Sequence, residues 1–231
     1  MCGRFALSLV ASEFADVLGV PPPEGYRPRW NVAPDSPIVI LRNTGAGEVA
    51  LFARWGFLPP WTAQPNDPGR QINARLETAA QKPMFKAALV KGRCLVPATG
   101  FYEWQKQSGG RSRPFFVRRV DRAPVLMAGL WRRNRLTDGS LLETVAILTR
   151  PADPLLAPIH HRMPVVLPAR LVELWLATEL PVGLVDELLS RAPDEPSLEA
   201  FEIGRGVNDP RIDHPGLVEP VLETDPPARL L

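Results

Sequence analysis

Two cysteines and three histidines in 231 residues leave little material for a metal centre or a disulfide framework, and no zinc-ligand spacing occurs among them. Long apolar runs are also missing. The best stretches, Val125–Trp131 and Val145–Leu148, fall well short of the ~18–20 residues that a membrane helix requires. The start, Met1-Cys2-Gly3-Arg4-Phe5, lacks the basic and apolar regions of a secretory leader, so a cytoplasmic protein with reduced cysteines is expected. No internal repeat or low-complexity tract interrupts the chain. With 45% hydrophobic and 23% charged residues the composition excludes a disordered chain and fits a folded domain.

Charge of one sign is scarce in each half. Residues 1–135 hold 20 lysines and arginines against 9 acids, and residues 136–231 hold 7 against 16, which leaves a net charge of only +2. The basic half is mostly arginine, whose fork matches phosphate geometry, so it is a candidate for nucleic-acid contact unless folding mixes the two halves. Proline, at 27 residues, is spread along the chain and points to many short elements joined by rigid turns.

Strand patterns are read at Ile38–Arg42, Val49–Gly56, Cys94–Val96, Phe101–Gln105, Phe115–Val120, Val125–Trp131, Leu141–Thr149 and Val165–Leu167. Thr137-Asp138-Gly139 reads as a hairpin turn, and Gly45-Ala46-Gly47 and Gly109-Gly110 mark two more reversals. Helical spacing places Val10, Phe14, Val17 and Leu18 on one face, with Ser8 or Ser12 as cap and Gly19 as stop. Further helices are expected at Pro83–Leu89, Arg170–Ala177 and Val185–Arg191. The pattern predicts one α+β domain over residues 1–222, with a β-rich, antiparallel, barrel-like core and a few peripheral helices, followed by a loose tail over 223–231.

Cys2 is the most informative single residue. Methionine before a small residue is commonly removed, and the expected mature start is then cysteine, a 1,2-aminothiol. An α-amine has a pKa near ~7.7–8.0 against ~10.4 for lysine, so far more of it is neutral and nucleophilic near pH 7. It can attack an aldehyde, and the neighbouring thiol can close a thiazolidine ring on the imine. Taken alone, Cys2 is better read as an incidental residue at a processed terminus. Glu103, in the aromatic strand pattern Gly100-Phe101-Tyr102-Glu103-Trp104, is a carboxylate that burial could tune for acid–base work, or a solvent-facing strand residue. His160 and His161 are adjacent and point in different directions on most backbones, so at most one of them is catalytic.

The motifs Met1-Cys2-Gly3-Arg4, Trp30-Asn31-Val32-Ala33-Pro34, Arg54-Trp55-Gly56, Asn73-Ala74-Arg75, Arg93-Cys94-Leu95-Val96-Pro97-Ala98, Phe101-Tyr102-Glu103-Trp104 and His160-His161-Arg162-Met163-Pro164 occur in fixed order over almost the whole chain. In this the chain resembles the SOS-response-associated peptidase (SRAP) domain family. The resemblance implies a sensor of abasic sites in single-stranded DNA, including single-strand to duplex junctions, whose N-terminal cysteine becomes covalently attached to the ring-opened sugar. It implies a single α+β domain, no metal or organic cofactor, and a monomer with no membrane association.

Position by position, Cys2 matches the crosslinking nucleophile, Asn73 the residue that positions the terminus and sugar, and Glu103 the acid–base carboxylate. His160 matches the proton-shuttling histidine, because the family pattern leaves one residue between His and Arg. Arg4, Arg75 and Arg162 match phosphate-contacting arginines, and Trp61 and Trp104 match aromatics near the bases. His161 and Leu76 depart from the family pattern, and Arg132-Arg133-Asn134-Arg135 either extends a DNA path or forms a solvated turn. Two other readings stay open: an N-terminal-nucleophile cysteine peptidase built from Cys2, Glu103 and His160, and a non-catalytic single-strand binding module using arginines and tryptophans.

Overall fold

A computed structural model describes residues 2–178 and 196–221. The apolar run Ile38 to Leu41 is buried at every position, so Pro37–Asn43 (β3) is walled by core on both faces. It turns back at Gly45 and Gly47, both at positive φ, into Glu48–Trp55 (β4) in antiparallel register. Arg93–Ala98 (β6), buried throughout, pairs with β3 and with Val125–Arg135 (β9). β9 continues through the Asp138-Gly139 turn, with Gly139 at φ 84°, into Leu141–Pro151 (β10). β10 then meets β4 side by side, which closes a barrel in the order β10, β4, β3, β6, β9.

That closing pair is parallel, where an all-antiparallel core was expected. The barrel neighbours that follow directly in sequence, β3 with β4 and β9 with β10, are joined by tight turns, which force antiparallel pairing, whereas the 85 residues 56–140 separate β4 from β10 and impose no direction. Cys94 belongs to the barrel's filling. A Cβ on Gly129 would come 2.8 Å from its Sγ, so the sulfur takes the space that a side chain at 129 would need.

Phe5–Leu7 (β1), Arg29–Val32 (β2), Gly100–Gln105 (β7), Arg113–Arg119 (β8) and Leu198–Glu202 (β12) form a second, antiparallel sheet in the order β12, β8, β7, β1, β2. Its side chains alternate as a strand dictates. Phe5, Leu7, Phe101 and Val117 join the barrel core, while Ala6, Tyr102 and Phe116 face a smaller cluster with Ile203, Val207 and Leu217. Two short strands flank β10: Asn73–Arg75 (β5) runs parallel to it and Arg162–Pro164 (β11) antiparallel. Four helices lie outside the sheets among the described residues: Ala11–Leu18 (α1), Leu76–Ala79 (α2), Pro83–Lys91 (α3) and Ala169–Leu176 (α4). None of them is long and apolar enough to cross a membrane.

Several expectations shift. α1 begins after Val10 with no side-chain cap, because the Ser8 hydroxyl is spent on Thr99 Oγ1 at 3.1 Å, while Gly19 stops the helix in the left-handed region as expected. Val165–Leu167 makes only an isolated bridge, Val166 to Met127, and the strand lies just before it in β11. The expected helix at 185–191 and the tail at 223–231 lie outside the described residues.

Asn31 on β2 carries the weight of the second layer. Fully buried, its amide Nδ2 donates to the carbonyls of Asp209 at 3.0 Å and Ile212 at 2.7 Å, and its Oδ1 accepts from Arg4. Asp213 returns the contact by accepting the backbone N–H groups of Trp30 and Asn31. Replacing Asn31 with Ala orphans the Asp209 and Ile212 carbonyls and takes one of two acceptors from Arg4 Nη1, so the variant should lose about 2–4 kcal/mol of unfolding free energy. Urea denaturation checks this; a loss below about 1 kcal/mol would contradict the assignment of Asn31 as the tie between the second sheet and the 209–212 segment.

Candidate functional site

Cys2 enters ahead of β1 and is completely buried. Its carbonyl oxygen accepts a 2.8 Å hydrogen bond from Asn73 Nδ2 on β5. β5 is itself placed by the barrel wall, since Trp55 Nε1 donates to the Ile72 carbonyl at 2.9 Å and Asn73 lies in register with Ile147. One β-residue after Tyr102, which faces the smaller cluster, Glu103 turns to the opposite face of β7 and is only 3% exposed. Burial raises its carboxyl to about 7. His160 approaches from the segment preceding β11, with Nδ1 3.9 Å from Glu103 Oε2. Four separate stretches of chain thus bring Cys2, Asn73, Glu103 and His160 together.

Electrostatics assign the resting protonation states. Burial, with the negative Glu103 as the next cause, pushes the Cys2 thiol up, so it stays protonated at neutral pH. His160 is pushed down, chiefly by burial and further by neighbouring positive charge, and rests as neutral imidazole. Its Nδ1 lies 3.0 Å from the backbone N–H of Arg162 and 3.2 Å from the Arg162 carbonyl oxygen, so the backbone of that one residue holds the ring whichever nitrogen carries the proton. His161 stacks on His160 with ring centroids 4.4 Å apart, so the extra histidine is a neighbour of the site on its exposed side.

The residues matched to DNA contact occupy varied positions. Arg75, at the end of β5, is exposed. Arg4 is half-buried, and its Nη1 is engaged by Asn31 Oδ1 at 2.7 Å and the Val207 carbonyl at 2.8 Å. Arg162 is buried, with a bidentate pairing to Glu77 at 2.6 and 3.0 Å. Trp61 stands 68% exposed on a loop pinned at its base by Arg54 and by an Asp35–Arg70 ion pair, whereas Trp104 donates through Nε1 to Asn208 at 2.7 Å. In the basic stretch at the end of β9, Asn134 is buried and accepts from Thr144, and Arg133 pairs with Glu143.

Glu77, Asn31, Asp35 and Asp213 were missed as site supports by sequence reasoning. Each is a polar residue whose partner lies far along the chain, so nothing local marks its role.

The profile of the family described as SOS response associated peptidase (SRAP) matches residues 1–210. The chain belongs to the SRAP family. Among its curated relatives is Abasic site processing protein YoqW of Bacillus subtilis, 34% identical over 225 residues and covering 95% of this chain and 99% of the relative. Escherichia coli Abasic site processing protein YedK is 34% identical over 189 residues, 78% of this chain and 81% of its own length. The SRAP fold is also seen in solved structures: a Bacteroides thetaiotaomicron protein matches with a TM-score of 0.82 at 24% identity over 96% of this chain and all of that one. A Bordetella bronchiseptica protein matches with a TM-score of 0.76 at 28% identity over 88% of this chain and all of that one.

The raised Glu103 carboxyl has a measurable consequence for this SRAP domain. Its folded pKa of about 7 exceeds the ordinary 4.5, so the folded state holds the proton more tightly than the unfolded chain. That stabilising share is complete below about pH 4.5 and is lost as pH rises through about 7. Glu103→Gln, which cannot ionise, should therefore gain on the wild type by up to about 3 kcal/mol between pH 5 and pH 9. Denaturation curves for both proteins at the two pH values check this; a difference that does not change with pH would contradict the buried, proton-holding carboxyl.

Proposed function

We propose that this SRAP protein processes abasic sites in DNA by forming a covalent thiazolidine link through Cys2 once Met1 has been removed. The observation that carries the reading is the meeting of Cys2 with Asn73, Glu103 and His160 in one buried cluster. The names of the curated relatives, abasic site processing proteins, point the same way.

The chemistry follows from the resting states. An abasic sugar exists mainly as a closed hemiacetal. His160 moves a proton between the anomeric hydroxyl and the ring oxygen, which opens the ring to an aldehyde. Glu103, with a carboxyl near 7, takes a proton from the Cys2 α-ammonium and frees the amine to attack that carbon. The carbinolamine loses water, with Glu103 returning the proton to the departing hydroxyl, and a protonated imine remains beside the Glu103 carboxylate. The Cys2 sulfur then adds to the imine carbon as its proton passes to nitrogen, closing the five-membered ring; one water is released overall. Asn73 holds the Cys2 carbonyl so that amine and thiol both face the aldehyde. Arg75 and Trp61, both exposed, serve the strand by phosphate contact and base stacking. The substrate is single-stranded DNA carrying the lesion.

The test incubates the purified protein with a single strand bearing one abasic site and looks for a heat-stable adduct on a denaturing gel. Wild type and Cys94→Ala should form it, because Cys94 is part of the barrel filling, while Cys2→Ala should yield none without borohydride. A stable adduct from Cys2→Ala, or its loss in folded Cys94→Ala, would overturn the assignment.

A further inference from the structure

Arg162 is almost withdrawn from water, and a buried guanidinium is costly unless its donors are met. Both of its amino groups are. Nη1 reaches Glu77 Oε1 at 2.6 Å, and Nη2 reaches Glu77 Oε2 at 3.0 Å and the Thr149 carbonyl at 2.6 Å. A bidentate carboxylate fork fixes orientation as well as distance. The same Arg162 uses its backbone N–H to hold His160 Nδ1 at 3.0 Å. Glu77, for its part, lies in α2, directly after the strand that carries Asn73 and Arg75. One ion pair therefore joins the Asn73 arm of the site to the His160 arm across Thr149.

We infer that Glu77 is a positioning residue for His160, acting through Arg162 to hold the orientation of the imidazole. This rests on the crosslinking reading above. A second role for the same contact is conceivable on chemical grounds: Glu77 could simply compete with DNA phosphate for the Arg162 fork. The two differ in sign. If Glu77 only competes, removing its charge should leave chemistry intact and tighten binding to undamaged strands. If it positions His160, removing its charge should slow the chemical step even when every molecule is bound.

The experiment measures the single-turnover crosslinking rate at saturating abasic single strand for wild type, Glu77→Gln and Glu77→Asp, beside the ¹⁵N chemical shifts of His160 in the free proteins. Misplacing a reacting group by about 1 Å can cost ~10²-fold. Glu77→Gln, which keeps one acceptor, should lose roughly 10-fold at saturation, and its His160 ring ¹⁵N shifts should move away from the wild-type values. Glu77→Asp retains the charge but is one methylene shorter, so it should show the same direction of change and serves if the glutamine variant does not fold. An unchanged rate at saturation overturns the inference, and so does a slower rate with unaltered His160 shifts. If wild type forms no adduct at all, the crosslinking reading fails, while the His160 shifts still report whether Glu77 sets the ring.

Discussion

The register of β10 is the constraint on which the rest of the site depends. Within the eleven residues from Leu141 to Pro151 this strand pairs with β9, closes the barrel against β4, and then accepts β5 on one side and β11 on the other. Thr149 is the shared position, lying opposite Arg75 on β5 and opposite Pro164 on β11. A slip of one residue would turn the side chains of either arm to the wrong face. Asn73 and His160 are 87 positions apart in sequence, yet both are indexed to the same stretch of one buried strand.

Burial then decides the chemistry available to the residues so assembled. A thiol taken out of water stays protonated, a carboxyl taken out of water holds its proton to about 7, and an imidazole in the same surroundings stays neutral. None of the three is ionised as strongly as its free side chain would be. Such a site does not present a standing thiolate, and this agrees with a mechanism that begins at the amine and uses sulfur second. The arginines beside these groups differ in their setting: Arg75 is exposed, and Arg162 is buried and paired with Glu77.

Much of this was legible in the sequence, because buried strands leave an apolar signature. Ile38–Arg42, Val125–Trp131 and Leu141–Thr149 each fall within an observed strand. The short strands β1, β2 and β5 escaped, since three or four residues such as Asn73-Ala74-Arg75 carry no periodicity and are strands only through their pairing with a neighbour. The four central residues, Cys2, Asn73, Glu103 and His160, were reached through chemistry and resemblance to ordered motifs. Their supports were not reachable that way. Nothing local distinguishes Glu77 from an exposed helical glutamate or Asn31 from a loop asparagine, because what defines them is a partner far away in the chain, Arg162 in one case and the 207–212 segment in the other.

The central claim is that one residue supplies both atoms that capture the lesion. Tandem mass spectrometry of the protease-digested adduct, formed on an abasic single strand without any reductant, tests it most directly. The account predicts a peptide beginning at Cys2, lacking Met1, and carrying the sugar with the loss of one water and no free thiol. An adduct that maps to an internal lysine, or one that leaves the Cys2 thiol open to alkylation, would contradict it.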